Sequence, residues 1–120
     1  MALRTGLVPA VAVTLVCGLV GCGGSANKPA ASNLTVEVTI AKGQVTPVNA
    51  TLQARVNQPI TFRVTSDAAD ELHVHSVPDH EFEIAAAPNQ TFQFSVDVPG
   101  NVDVELHHLD RTVATIQVHP

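Results

Sequence analysis

Leu34-Thr35-Val36-Glu37-Val38-Thr39-Ile40 sets an apolar residue at every second position, with hydroxyls and a carboxylate between them. A period of two puts Leu34, Val36, Val38 and Ile40 on one face of an extended strand, and the β-branched residues among them favour that conformation. The pattern returns at Ile60, Phe62 and Val64, at Phe92, Phe94 and Val96, and at Val102, Val104 and Leu106. Val113 to Val118 closes the series with less regular alternation. Turn chemistry separates these runs at Lys42-Gly43, Asn57-Gln58-Pro59, Pro88-Asn89-Gln90 and Pro99-Gly100. No stretch beyond Cys22 keeps a helical period. The expectation is an all-β domain over residues 34–120, a small Greek-key β-sandwich or barrel of about seven to eight strands, with the four phenylalanines facing inward. A domain of that size lies at the small end of what one core can sustain.

The amino terminus reads differently. Arg4 supplies a short positive start, Gly6 to Leu19 is almost wholly apolar, and small residues follow, as in a secretory signal. Leu19-Val20-Gly21-Cys22 resembles the lipobox of bacterial lipoproteins, which implies cleavage after residue 21 and acylation of Cys22. Residues 1–21 are then a lipoprotein signal peptide. The protein is expected to sit on the extracytoplasmic face of the cell membrane, lipid-anchored, as acyl chains (palmitate among them) hold it there. Residues 22–33 hold the lipidated cysteine and a small, polar, Gly- and Pro-containing tether.

Cysteine arithmetic follows from this. Cys17 leaves with the signal and Cys22 is consumed by lipid, so the domain has neither a disulfide nor a thiolate, and Met1 is the one methionine. Cysteine nucleophiles, thiol redox chemistry and a blue-copper thiolate are thereby excluded.

Charge narrows the function further. Between Arg63 and Arg111 there is no Lys or Arg, yet ten of the eleven acids and five of the six histidines lie there. Such a segment attracts cations and repels phosphate, which argues against nucleic acid and anionic lipid as partners. Within it, Asp70-Glu71-Leu72-His73-Val74-His75-Ser76-Val77-Pro78-Asp79-His80 concentrates imidazoles and carboxylates. If Leu72, Val74 and Ser76 face a core, Glu71, His73 and His75 face the other way, the two imidazoles separated by about 6.6 Å of strand rise. Side chains leaning across that gap can share an ion whose bonds to nitrogen are about 2.0–2.1 Å. The plainer account is a solvated acidic strand whose histidines merely titrate.

Taken in order, these segments resemble a cupredoxin-like domain, especially the short, Cys-free modules of exported bacterial proteins. The resemblance rests on Val36-Glu37-Val38-Thr39-Ile40 followed by Lys42-Gly43-Gln44-Val45-Thr46-Pro47, on Asn57-Gln58-Pro59-Ile60-Thr61-Phe62-Arg63-Val64-Thr65-Ser66-Asp67, on Glu71-Leu72-His73-Val74-His75, and on Pro99-Gly100-Asn101-Val102-Asp103-Val104-Glu105-Leu106-His107. It implies that one copper-ligating histidine of the family comes from the region of His73 and His75. A Cys, a His and usually a Met would come from the loop after Val102 to Leu106. Here Leu106 stands near the place of the Cys and the loop has no Met, so type 1 copper ligands are not retained.

Imidazole and carboxylate ligands still suit Cu(II) or Zn(II). The expected metal shell is His73, His75 and one of His80 or His108, with Glu71 or Asp79 as oxygen ligand or hydrogen-bond acceptor behind the ligands. Because His107 and His108 would point opposite ways along a continued strand, at most one of them joins. The functional expectation is metal handling or sensing through these histidines. The alternatives are a metal-free interaction module of the cell envelope with a protein partner, and a superoxide dismutase-like copper enzyme suggested by His73-Val74-His75 with Asp79. Against that enzyme, the chain offers no counterpart of the disulfide, zinc loop or arginine segment of that family. No complete catalytic constellation is present; Ser76 lacks a Gly-x-Ser-x-Gly setting.

Overall fold

A computed structural model describes residues 32–120 of the chain. The expected signal segment 1–21, the expected lipidation site Cys22 and nearly all of the expected tether lie outside the described residues.

The strands are β1 (Leu34–Ala41), β2 (Gln44–Thr46), β3 (Ala50–Arg55), β4 (Ile60–Ser66), β5 (Asp70–Val74), β6 (His80–Ile84), β7 (Gln90–Phe94), β8 (Gly100–Leu106) and β9 (Arg111–His119). They form two sheets, of order β2-β1-β4-β7 and β3-β9-β8-β5-β6. The pairs β1–β4 and β3–β9 are parallel and the rest antiparallel. The alternating residues turn inward between the sheets as their period requires. Val36, Val38 and Ile40 of β1 meet Ile60, Phe62 and Val64 of β4, and across from them lie Leu72, Val74, Val104, Leu106, Val113 and Ile116. Each such side chain, fully removed from water, contributes about 1.5–3 kcal/mol. Phe62 and Phe94 are buried, and Phe82 and Phe92 pack partly buried against the same core.

Among the described residues nine strands form rather than seven or eight. The additional pieces are short or weakly patterned: β2 has 3 residues, and β3 buries only Ala54 fully. The Lys42-Gly43 turn closes the β1–β2 hairpin with φ of 53° and 72°, the left-handed pair that a two-residue connection needs to match strand twist. The irregular alternation of β9 also has a cause. Val104 pairs with Ala114 but Glu105 pairs with Thr112, so Val113 is an extra residue at a β-bulge, and Val113 and Ala114 are consecutive yet both buried.

Candidate metal centre

The outer face of the larger sheet gathers the chemistry. Leu72 and Val74 are fully buried, so their neighbours Glu71 and His73 point away from the core. The same parity sends Asp103 and Glu105 outward from β8, and Glu81 and Glu83 outward from β6. Register then sets His73 between Glu81 on one side and Glu105 on the other.

Past Val74 the backbone of His75 still donates its N–H to Asp103 O at 2.9 Å, keeping the chain beside β8. The rings of His73 and His75 lie with centroids 4.0 Å apart, leaning together across the strand rise. The turn that follows returns to β6 and places both carboxylate oxygens of Asp79 3.0 Å from His73 Nε2. One ligand atom from each of His73, His75 and Asp79 falls within 4.8 Å of the others. Further ring nitrogens are engaged as well. His73 Nδ1 is 3.0 Å from His107 Nε2, and His107 Nδ1 is 2.9 Å from Glu71 Oε1. His75 Nε2 is 3.0 Å from Glu105 Oε2. The hydrogen bond from His73 holds the Asp79 carboxyl below its ordinary value, aided by the charges of His73 and His75 and a backbone N–H at His80, against the smaller upward push of desolvation.

Of the residues expected to form the site, His73, His75 and Asp79 come together, and Glu71 lies one imidazole away. His80 and His108 do not join them. His80 keeps the inward parity of Phe82 and Ile84, stacks on Phe82 with centroids 5.9 Å apart, lies tilted against Phe94 at 5.5 Å, and has a buried Nε2 without a partner. His108 lies beyond the end of β8, its Nδ1 3.3 Å from the carbonyl of Ala69. His107, rather than His108, lies against the cluster, beside His73 Nδ1. The signal was in the sequence: Val102, Val104 and Leu106 face inward, so the next odd position faces out beside His73.

The loop after β8 is organised by a residue the sequence did not single out. Asp70 is 3% exposed, and its carboxylate accepts the backbone N–H groups of Glu71 at 2.7 Å, His108 at 2.9 Å and Leu109 at 3.2 Å. A buried carboxylate is thus engaged by three backbone donors, as a buried polar group requires.

The chain matches no protein-family model and no curated protein. Among solved structures it is similar to auracyanin B, at 12% identity and a TM-score of 0.54 over 74% of this chain and 90% of that one. It is also similar to a multi-copper oxidase from Pseudomonas thermotolerans, at 15% identity and 0.53, covering 74% of this chain and 30% of the other. Fet3p, a multicopper oxidase that functions in iron import, gives 10% identity and 0.57, with 74% and 23% covered. The likeness shows the fold, which is cupredoxin-like. A blue-copper centre takes a thiolate, two imidazoles and a weak axial ligand that is commonly a thioether. Residues 32–120 contain neither Cys nor Met, so the described residues do not supply the sulfur ligands of that centre.

Proposed function

We propose that this chain is a cupredoxin-like metal-binding domain of the cell envelope, lipid-anchored through Cys22 on the extracytoplasmic face, that takes up Cu(II) or Zn(II) for handling or sensing. The observation that carries the reading is the meeting of His73, His75 and Asp79, with ligand atoms within 4.8 Å of one another. Ligands bonded at about 2.0–2.1 Å around a tetrahedral ion stand about 3.3 Å apart, so small side-chain rotations close the shell. Two nitrogens and an oxygen suit Cu(II) and Zn(II), and nothing soft competes. The surrounding carboxylates of Glu71, Glu81 and Glu105 raise the local concentration of cations. They repel superoxide for the same reason, which speaks against a dismutase. The role proposed is binding rather than catalysis.

Every imidazole of the cluster already has a carboxylate or imidazole partner, which favours the second reading, a metal-free interaction module. Calorimetric titration of Cu(II) and Zn(II) decides between them. The full-length chain in detergent, with Cys17 and Cys22 both replaced by Ser to remove competing thiolates, is expected to bind one ion with submicromolar affinity. The pair His73→Ala and His75→Ala is expected to abolish binding. Absence of saturable binding, or binding indifferent to the pair, sinks the metal reading.

A further inference from the structure

We infer that His107 and Glu71 form a relay behind the metal centre that fixes His73 as an Nε2 ligand; the inference rests on the metal-binding reading above. An imidazole that binds an ion through one nitrogen presents an N–H at the other, and the acceptor of that N–H decides which nitrogen is free for the metal. Nε2 of His73 faces Asp79 with both oxygens at 3.0 Å, on the side where the ligand atoms converge. Nδ1 faces His107 Nε2, also at 3.0 Å. That distance is a hydrogen bond and requires one proton between the two rings. His107 can accept there only if its own proton sits on Nδ1, and Nδ1 is where Glu71 Oε1 waits at 2.9 Å. Glu71 therefore sets the tautomer of His107, and His107 sets that of His73.

The rigidity of the relay comes from the sheet. Glu71 and His73 share β5, and the backbone N–H of His107 donates to Glu71 O at 3.1 Å, tying the end of β8 to β5. The rings of His73 and His107 meet edge to face, at 87° with centroids 5.0 Å apart, so His107 also stops His73 from turning over. Glu71 keeps 22% of its side-chain exposure, against 44% for His107 and 58% for Asp79, so the relay ends in its more covered member while the Asp79 edge of His73 is the more open to solvent. His107 is thus a positioning residue and not a ligand. In this arrangement it cannot reach an ion held on the opposite edge of the same ring.

The test uses the full-length chain in detergent with Cys17 and Cys22 replaced by Ser, and Zn(II) and Cu(II) as probes. His107→Ala is expected to weaken binding by about 10- to 100-fold, the range typical of partners behind a ligating histidine. His107→Gln is expected to restore most of the loss, since its amide oxygen can accept from His73 Nδ1 while its NH2 donates to Glu71. His108→Ala is expected to bind like the parent. Long-range 15N–1H spectra of the Zn(II)-loaded parent should show His73 metallated at Nε2 and protonated at Nδ1. Nitrogen superhyperfine structure in the Cu(II) EPR spectrum should count the same nitrogens in parent and His107→Gln. Loss of one nitrogen in that variant makes His107 a ligand and overturns the relay, as does metallation of His73 at Nδ1. Parent binding undisturbed by His107→Ala overturns the relay and leaves the metal reading standing. No binding by the parent overturns both.

Discussion

Asp79 has both carboxylate oxygens at 3.0 Å from His73 Nε2, and that hydrogen bond is the largest influence holding its carboxyl below its ordinary value of 3.8. Folding therefore favours the ionised form. The resulting stabilisation is fully present above the unfolded-state value and is lost as pH falls through the lower folded-state value. With the side chain 58% exposed, water screens the pair and the effect is modest. A carboxyl-carbon NMR titration is expected to give Asp79 a midpoint below 3.8 in the parent, rising toward 3.8 in His73→Ala. The same substitution should flatten the dependence of stability on pH below about 4. An unchanged midpoint in His73→Ala would show that something other than the imidazole governs this carboxylate. At this scale the sequence was informative about residue type and less so about direction. Strand parity outward from Leu72 and Val74 identified His73, whereas the choice between His107 and His108 depended on how far β8 keeps its alternation, and the placing of Asp79 depended on a turn.

Among the elements, the β8–β9 connection depends most on one side chain. Asp70 accepts three backbone N–H groups, two of them from His108 and Leu109 in that turn, while itself 3% exposed. Asp70→Ala leaves those donors without an acceptor, and urea unfolding is expected to show a loss of about 3 kcal/mol, the scale of a buried group stripped of charge-assisted hydrogen bonds. Asp70→Asn keeps one accepting oxygen and should lose less. Equal stability of Asp70→Ala and the parent would mean that the turn is held by its own backbone. Strand elements were legible where the apolar period was strict, as in β1, β4 and β8. They were not where the pattern was interrupted for a structural reason. The bulge at Val113 breaks the period of β9, β2 is too short to show one, and β3 has Thr51, Gln53 and Arg55 exposed with only Ala54 fully buried. The parallel pairings β1–β4 and β3–β9 leave no local trace, because their partners are far apart in the chain.

At the scale of the molecule, folding concentrates like charge on one face. Glu71 pairs directly with Glu83 across β5 and β6, an unfavourable cross-strand arrangement, and Glu81 and Glu105 flank His73 on either side. Neither Lys nor Arg occurs in β5, β6 or β8 to offset them. Asp79, Glu105 and Glu71 each bring an oxygen within 3.0 Å of an imidazole nitrogen, and Glu81 Oε1 stands 3.8 Å from His73 Nε2. A divalent ion held by His73, His75 and Asp79, as proposed, would supply positive charge at the centre of this face, and it would bind the folded chain, since the three groups are assembled by β5 and the turn into β6. Binding to the folded state alone stabilises by RT ln(1 + [L]/Kd), about 2.7 kcal/mol at a hundredfold excess over Kd. For a domain of this size that corresponds to a rise in Tm on the order of 10 °C. Scanning calorimetry with increasing Zn(II) is expected to show a Tm that keeps climbing with the logarithm of free zinc at neutral pH. The climb should shrink as the solution is acidified and protons compete for the imidazoles. His73→Ala with His75→Ala should remove it, while a simple salt such as NaCl, which only screens the acidic face, should raise the Tm of parent and variant alike. A zinc-dependent rise of equal size in the doubly substituted chain would place the ion among the carboxylates at large, and a flat response in the parent would mean that the acidic face is stable without one.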